Sequence, residues 1–281
     1  MQVTETADSL SKALDADRAA GRRVGLVPTM GALHEGHLSL VEAARRDVEV
    51  VVVSTFVNPL QFDDPADLAR YPRNLEHDAA RCAEAGVDYL FAPATDELHP
   101  APVLTSVRVA GLGEVLEGAS RPGHFAGVAT VVTKLLALTG RCRAYFGEKD
   151  YQQLVVVRRL VTELRFPVEV VGCTTVRQPD GVAVSSRNVL LSEAERAAAP
   201  VLYRALLAGR DLLETGERRP DRLGAAMARV VAAEPLASLD YAAAVDASDL
   251  RAPERLSGEV RLLVAAWLGT TRLIDNLGAR A

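Results

Sequence analysis

The chain is poor in several residues that would commit it to particular chemistries. Cysteine occurs three times in 281 residues, as Cys82, Cys142 and Cys173, with no Cys-x-x-Cys pair. An odd number at wide spacing argues against a disulfide framework and against a zinc site, so the three read as reduced filler. No window approaches the ~20 consecutive apolar residues that a membrane-spanning helix needs. Met1 to Leu10 carry acids and no continuous apolar run, so no leader is expected and a cytoplasmic location is. Positive charge is also short: 32 Lys and Arg against 37 Asp and Glu leave a net charge of −5. Nucleic-acid binding normally demands a basic face, so neither nucleic acid nor membrane is expected as a partner, although small anions can still bind locally. Aromatics make up only 5%, but 49% hydrophobic and 25% charged residues are those of a soluble globular protein. Lysine is the scarcest cation, present only as Lys12, Lys134 and Lys149. A lysine kept in an arginine-using chain is a candidate point charge, with chance placement as the alternative.

The chain is organised around Pro28-Thr29-Met30-Gly31-Ala32-Leu33-His34-Glu35-Gly36-His37. Before it stands the apolar run Val24 to Val27, and after it the helix-like Leu38 to Arg46. Strand, glycine-containing loop and helix in that order aim backbone N–H groups and the positive end of a helix dipole at one point, a ready anion site. His34 and His37 are three apart and share one side of a first helical turn, where they can donate to phosphate oxygens. The alternative is a tight turn with two partly exposed histidines. Val50 to Val53 then form a β-branched run of the kind buried on both faces of a parallel sheet. Strand, helix and strand make a βαβ unit.

At this length one large and one small domain are expected. The spacing predicts an opening helix over 4–20, a helix over 74–85 stopped by Gly86, strands over 87–91 and 105–109, and a helix over 128–138. Ligands sit beyond the carboxyl ends of strands in open parallel sheets, so Asn58 and Gln61 are placed in the crevice of His34 and His37, with plain turn residues as the alternative on general grounds. His77 and Asp78 read as a solvated helix face, with metal contact as the lesser alternative, and His99, in a proline-rich loop, carries no argument. Arg121 and His124 at a helix start either bind an anion or form a cap and surface turn.

Arg143 to Phe146 is a short strand running into Gly147-Glu148-Lys149-Asp150-Tyr151-Gln152-Gln153, which opens a helix over 154–164. Lys149 and Gln153 share a helix face, while Asp150 is placed to accept from a ribose hydroxyl or to bind a metal, and also suits the helix dipole. A solvated charged turn is the competing reading. A strand over 166–171 follows. Val184-Ser185-Ser186-Arg187-Asn188 sets two hydroxyls beside a guanidinium, suited to departing phosphates or to a plain turn. Ser192 to Glu195 is a capping box opening a helix through Leu213, kinked at Pro200; a helix over 223–233 and short strands over 240–245, 260–267 and 270–274 complete the chain. The domains are therefore placed at 1–177, a Rossmann-like parallel sheet with helices on both faces, and 178–281, a smaller α+β domain with a short antiparallel sheet. Ser185 to Arg187 would then lie at a hinge.

His-x-Gly-His after a strand resembles the nucleotidylyltransferase superfamily, and the longer string Pro28 to His37 resembles the pantoate–beta-alanine ligase family within it. Gly147 to Gln153, Ser185 to Asn188 and the ending Leu268 to Asn276 are similar to that family in the same order. Val184 and Leu60 stand where methionine is often found, and Arg187 where many superfamily members carry lysine. The resemblance implies an ATP-dependent ligase in which pantoate attacks the α-phosphate to give pantoyl adenylate and pyrophosphate, after which beta-alanine displaces AMP. It implies that His34, His37, Lys149, Ser185, Ser186 and Arg187 stabilise phosphates, with Mg2+ bridging them through Asp150. It places His37 as a proton donor and Gln61 and Gln153 on pantoate, Gln61 also facing beta-alanine. Met30, Gly31, Ala32, Leu33, Glu35, Gly36, Gly147, Glu148, Val176 and Val184 line the nucleotide, and the assembly is a homodimer. Rival readings weaken on the residues: Gly111-Leu112-Gly113 has Leu116 where a dinucleotide fingerprint needs glycine. A nucleotide sensor could dispense with His37 and Lys149, and both are present. A plain nucleotidylyltransferase is disfavoured by Gly147 to Gln153.

Overall fold

The computed structural model describes every residue from Met1 to Ala281. The chain divides into two compact units, Met1–Glu148 with Gln152–Thr174, and Lys149–Tyr151 with Thr175–Ala281. The sequence reading sets the boundary slightly later and leaves 149–151 in the first domain. Those residues go with the second unit because they are bonded to it. Asn276 Nδ2 donates to the Lys149 carbonyl (2.7 Å), Tyr151 Oη donates to the Ala247 carbonyl (3.0 Å), and the Arg261 guanidinium lies 3.8 Å above the Tyr151 ring.

The first unit is built on a parallel sheet of β1 (Gln2–Thr4), β2 (Val24–Thr29), β3 (Val50–Thr55), β4 (Tyr89–Phe91), β5 (Cys142–Gly147) and β6 (Val168–Cys173), in the order β1-β4-β3-β2-β5-β6. Val50 to Val53 are essentially inaccessible, as a central strand requires. Alternate residues face opposite sides. Val51 and Val53 join Val27, Leu40, Val41 and Ala44 in one cluster under the helix Glu35–Asp47, while the helix His124–Thr139 packs against β2. From β2 the chain first builds outward through β3 and β4, then returns to place β5 on the other side of β2. The carboxyl ends of β2 and β5 therefore flank a topological switch point, where an open α/β sheet leaves a crevice.

The second unit carries the antiparallel sheet β7 (Ala237–Asp246), β8 (Glu259–Leu268) and β9 (Thr271–Arg280). Its core joins Leu206 and Leu213 of the helix Val201–Glu214, Met227 and Val231 of the helix Pro220–Ala232, and Leu262, Val264 and Ala266 of β8.

Three expectations need correction. The opening segment is strand β1 followed by the helix Ala7–Ala19, capped by the Thr6 hydroxyl accepting from Ser9 N–H (3.3 Å). Residues 105–109 alternate without forming a strand: Val107 N–H donates to Thr130 Oγ1 (2.9 Å), a side chain, where a strand would need a neighbouring backbone. The helix expected through Leu213 is two helices, Glu193–Ala198 and Val201–Glu214, divided at Pro200, which has no N–H to continue the ladder.

Candidate functional site

The loop after β2 is held by an internal anion. The buried Asp78 carboxylate accepts from Ala32 N–H (2.9 Å) and Leu33 N–H (2.8 Å), so it is a clamp and not the solvated residue expected from its helix. Two of the amides read as an anion site are thus already engaged by the protein's own carboxylate. Gly31 is required twice over: its φ is +81°, and a Cβ there would stand 2.8 Å from Asp78 Oδ2. Gly31 N–H donates to Thr29 Oγ1 (3.1 Å), whose hydroxyl donates to the Ser54 carbonyl on β3 (2.6 Å).

That clamp delivers His34 to the N-terminus of the helix Glu35–Asp47. His34 N–H donates to His37 Nδ1 (3.4 Å), and the two rings stack with centroids 4.0 Å apart and planes inclined by 20°. With Nδ1 of His37 accepting, a neutral His37 carries its proton on Nε2, as a donor. Glu35 is exposed and ion-paired with Arg81 (3.3 Å). Its own backbone N–H and then Arg81 hold its carboxyl below the usual range.

Beyond β3 stands Gln61, buried, with Nε2 2.9 Å from Met30 Sδ. Asn58, expected to face the crevice, is fully buried beneath Gln61 instead, donating through Nδ2 to Gln61 Oε1 (2.9 Å) and the Gly127 carbonyl (3.1 Å). Arg121 and His124 do not cap their helix, whose N-cap is Gly123 with no side-chain bond: His124 Nδ1 (2.8 Å) and Arg121 Nη2 (3.1 Å) both bind the Gln61 carbonyl. A Cβ on Gly127 would collide with the Leu60 carbonyl, so glycine is what lets the helix His124–Thr139 approach the Gln61 segment.

At the far side of the switch point β5 ends at Gly147, and Glu148 follows. Of the two successive glutamines, Gln152 is buried, its amide bound to Glu117 N–H and to the Leu112 and Val115 carbonyls. Gln153 is half-buried.

Within the second unit, Lys149 Nζ is 3.2 Å from Asp150 Oδ1. A short hairpin presents the serines: Val184 N–H donates to the Val176 carbonyl (3.0 Å), and Ser185 Oγ accepts from Arg187 N–H (3.3 Å) at the head of the turn Ser186–Leu190. Arg177 fastens this hairpin to β9 by bidentate bonds to Asp275 (2.7 and 2.9 Å). No three His, Cys, Asp or Glu side chains gather as a metal cage. Cys82 and Cys142 are buried, which pushes both thiols up to about 12 and leaves them protonated.

The sequence reading missed Asp78, and it missed the buried line from Asn58 to His99 and Lys134. The one available signal was Lys134, the single charged residue in the otherwise apolar helix His124–Thr139.

The family model described as pantoate-beta-alanine ligase matches residues 2–278. The pantothenate synthetase of Moorella thermoacetica is 50% identical over 277 residues, covering 99% of this chain and 98% of that protein. That of Cereibacter sphaeroides is 54% identical over 260 residues, covering 92% and 93%. The crystal structure of pantothenate synthetase from Thermus thermophilus superposes with a TM-score of 0.92 at 51% identity, covering 99% of each chain. The Francisella tularensis pantoate-beta-alanine ligase, described as complexed with beta-gamma ATP and beta-alanine, gives 0.79 at 33% identity, covering 99% of this chain and 97% of that one. The chain therefore belongs to the pantoate-beta-alanine ligase family.

Proposed function

We infer that this chain condenses pantoate with beta-alanine at the expense of ATP, releasing AMP and pyrophosphate by way of pantoyl adenylate. The observation that carries the reading is the stacked His34–His37 pair at the switch point of a chain that matches the family from residue 2 to 278. The Francisella relative, described with beta-gamma ATP and beta-alanine, supports the ligand set.

A carboxylate is ionised and nucleophilic at neutral pH, so attack on the α-phosphate needs no serine or thiol. Catalysis then rests on alignment and on neutralising charge that builds on the phosphates. In this reading His37, with its proton on Nε2, donates to a phosphate oxygen, and His34 assists from the same turn. Lys149, Ser185, Ser186 and Arg187 supply the remaining charge and donors. Met30 to His37, Gly147 to Asp150, Val176 and Val184 line the nucleotide, and Gln61 and Gln153 orient pantoate.

Mg2+ demands few protein carboxylates and usually arrives on the phosphates of its nucleotide. The donor set fits that habit: there is no cage, and Asp150 is a single exposed carboxylate beside Lys149. Asp150 would hold the ion, which when bound offsets phosphate charge. A homodimer and a cytoplasmic setting complete the reading on the family resemblance, and light scattering at twice the chain mass tests the first.

The test is product identity. With ATP, Mg2+, pantoate and beta-alanine, mass spectrometry should find pantothenate and AMP in equal amounts. ADP in place of AMP would mean attack at the γ-phosphate and would overturn the reading.

A further inference from the structure

Lys134 is the one charged side chain of the helix His124–Thr139, and it reaches the Leu98–His99 segment. An ammonium has three hydrogens and no lone pair, so it can only donate. Lys134 Nζ bonds the Leu98 carbonyl and lies 3.0 Å from His99 Nδ1. Nδ1 must therefore offer its lone pair, and the proton of the neutral ring sits on Nε2. That Nε2 is 2.8 Å from Asn58 Oδ1, to which it donates.

Two backbone groups of fixed polarity fix Asn58 the same way. Leu60 N–H can only donate and reaches Asn58 Oδ1 (3.3 Å); the Gly127 carbonyl can only accept and takes Asn58 Nδ2 (3.1 Å). The second hydrogen of Nδ2 goes to Gln61 Oε1 (2.9 Å). With its oxygen engaged, Gln61 turns Nε2 outward beside Met30 Sδ. Asn58, His99 and Gln61 are 0%, 5% and 9% exposed, and reversing any dipole in so dry a row would set donor against donor or acceptor against acceptor.

We propose that Lys134, His99 and Asn58 form an oriented hydrogen-bond relay that fixes the polarity of the Gln61 carboxamide, so that Gln61 meets its substrate as a donor. Lys134 and His99 are thus positioning residues, acting through Asn58 and never touching the ligand. The substrate part rests on the reading of Gln61 as a pantoate contact. A donor at that place selects an acyl substrate offering a carboxylate or hydroxyl oxygen, and disfavours an analogue offering an amide N–H there.

Burial, and then the Lys134 charge, hold His99 below the ordinary histidine value, in keeping with a ring that stays neutral. Phe56 covers it, its ring centroid 5.5 Å away.

Glutamine can reproduce the two ends of His99, accepting from Lys134 and donating to Asn58, whereas leucine can do neither. The test compares His99→Gln, His99→Leu and Lys134→Met, with Gln61→Ala as reference. It reads KM and kcat for pantoate and for ATP, melting temperature, and the 15N shifts of labelled histidine in the unliganded wild-type protein. The relay predicts an Nε2–H tautomer for His99. It also predicts a KM for pantoate raised about tenfold in His99→Leu and Lys134→Met, the loss of one hydrogen bond's worth of binding. KM for ATP should stay unchanged, and His99→Gln should remain within about threefold of wild type. An Nδ1–H tautomer would overturn the relay, as would His99→Gln being impaired as much as His99→Leu at equal stability. If Gln61→Ala left KM for pantoate unchanged, the Gln61 reading would fall and with it the substrate part, while the tautomer would still judge the relay. The wild-type spectrum needs no variant to fold.

Discussion

The Gln61 segment of the first unit and the Lys149 and Ser185–Arg187 segments of the second are held by different means. Around Gln61 the polar side chains themselves are buried and bonded end to end, from Lys134 to the carboxamide, with Arg121 and His124 on the Gln61 carbonyl. In the second unit the backbone is what is fastened: Asn276 binds the Lys149 carbonyl and Arg177 ties the serine hairpin to β9. The charged side chains there are less enclosed than Gln61, the Lys149 and Asp150 side chains being 20% and 49% exposed. The difference teaches a division of labour. On the proposed roles, a group read as recognising one orientation of a small acid is fixed through a buried side-chain row, and groups read as meeting phosphate charge are anchored through bonds to their backbone and hairpin.

Lys149→Met should lower kcat by about a thousandfold, as should His37→Ala, because both are read as stabilising phosphate charge. Melting temperature should change little for Lys149→Met, since its one ion pair is to the half-exposed Asp150 carboxylate and a solvated pair is worth only about 0–1 kcal/mol. A marked loss of stability in that variant would erase the contrast. Gly127→Ala comes next: its Cβ collides with the Leu60 carbonyl, so the Gln61 segment must shift, and KM for pantoate should rise more than tenfold by order-of-magnitude reasoning on displaced contacts. Steady-state kinetics with each substrate varied would show whether KM for ATP moves equally, which would sink the assignment to one substrate. Asp78→Asn keeps the shape but leaves one of two amides without an acceptor, so unfolding free energy should drop by about 1–3 kcal/mol in denaturant titrations.

The smallest effect concerns acid. His99 in the fold sits below its ordinary value of 6.5. As pH falls through 6.5 the unfolded chain takes up this proton before the folded one does, so acid favours unfolding. The neutral ring's contribution is complete above that value and is lost between it and the lower folded value. Wild type should therefore lose more melting temperature than His99→Gln between about pH 7.5 and about pH 5.5; equal losses would remove His99 from the account.

Legibility in the sequence followed the range of the interactions. The β-branched Val50 to Val53 and the turn from Met30 to His37 declare themselves because their cause is local: burial on both faces of a sheet, and a strand feeding a helix. Asp78 hides because its partners, Ala32 and Leu33, lie 46 and 45 residues away, and on its own helix it looks like any surface acid. His99 hides for the same reason, bonded to Asn58 at a separation of 41. Residues 105–109 mislead the other way: their alternation is local, but no neighbouring strand takes it up. The boundary between units is blurred by Lys149–Tyr151, which follow β5 in the chain and bond to β9 and the Ala247 carbonyl.

The most direct test of the central claim is isotope exchange of labelled pyrophosphate into ATP, with Mg2+ and pantoate present and beta-alanine withheld. The account predicts label in ATP only when pantoate is added, because a reversible acyl adenylate forms before the amine is needed. Folded protein that turns over the full reaction yet shows no pantoate-dependent exchange would contradict it.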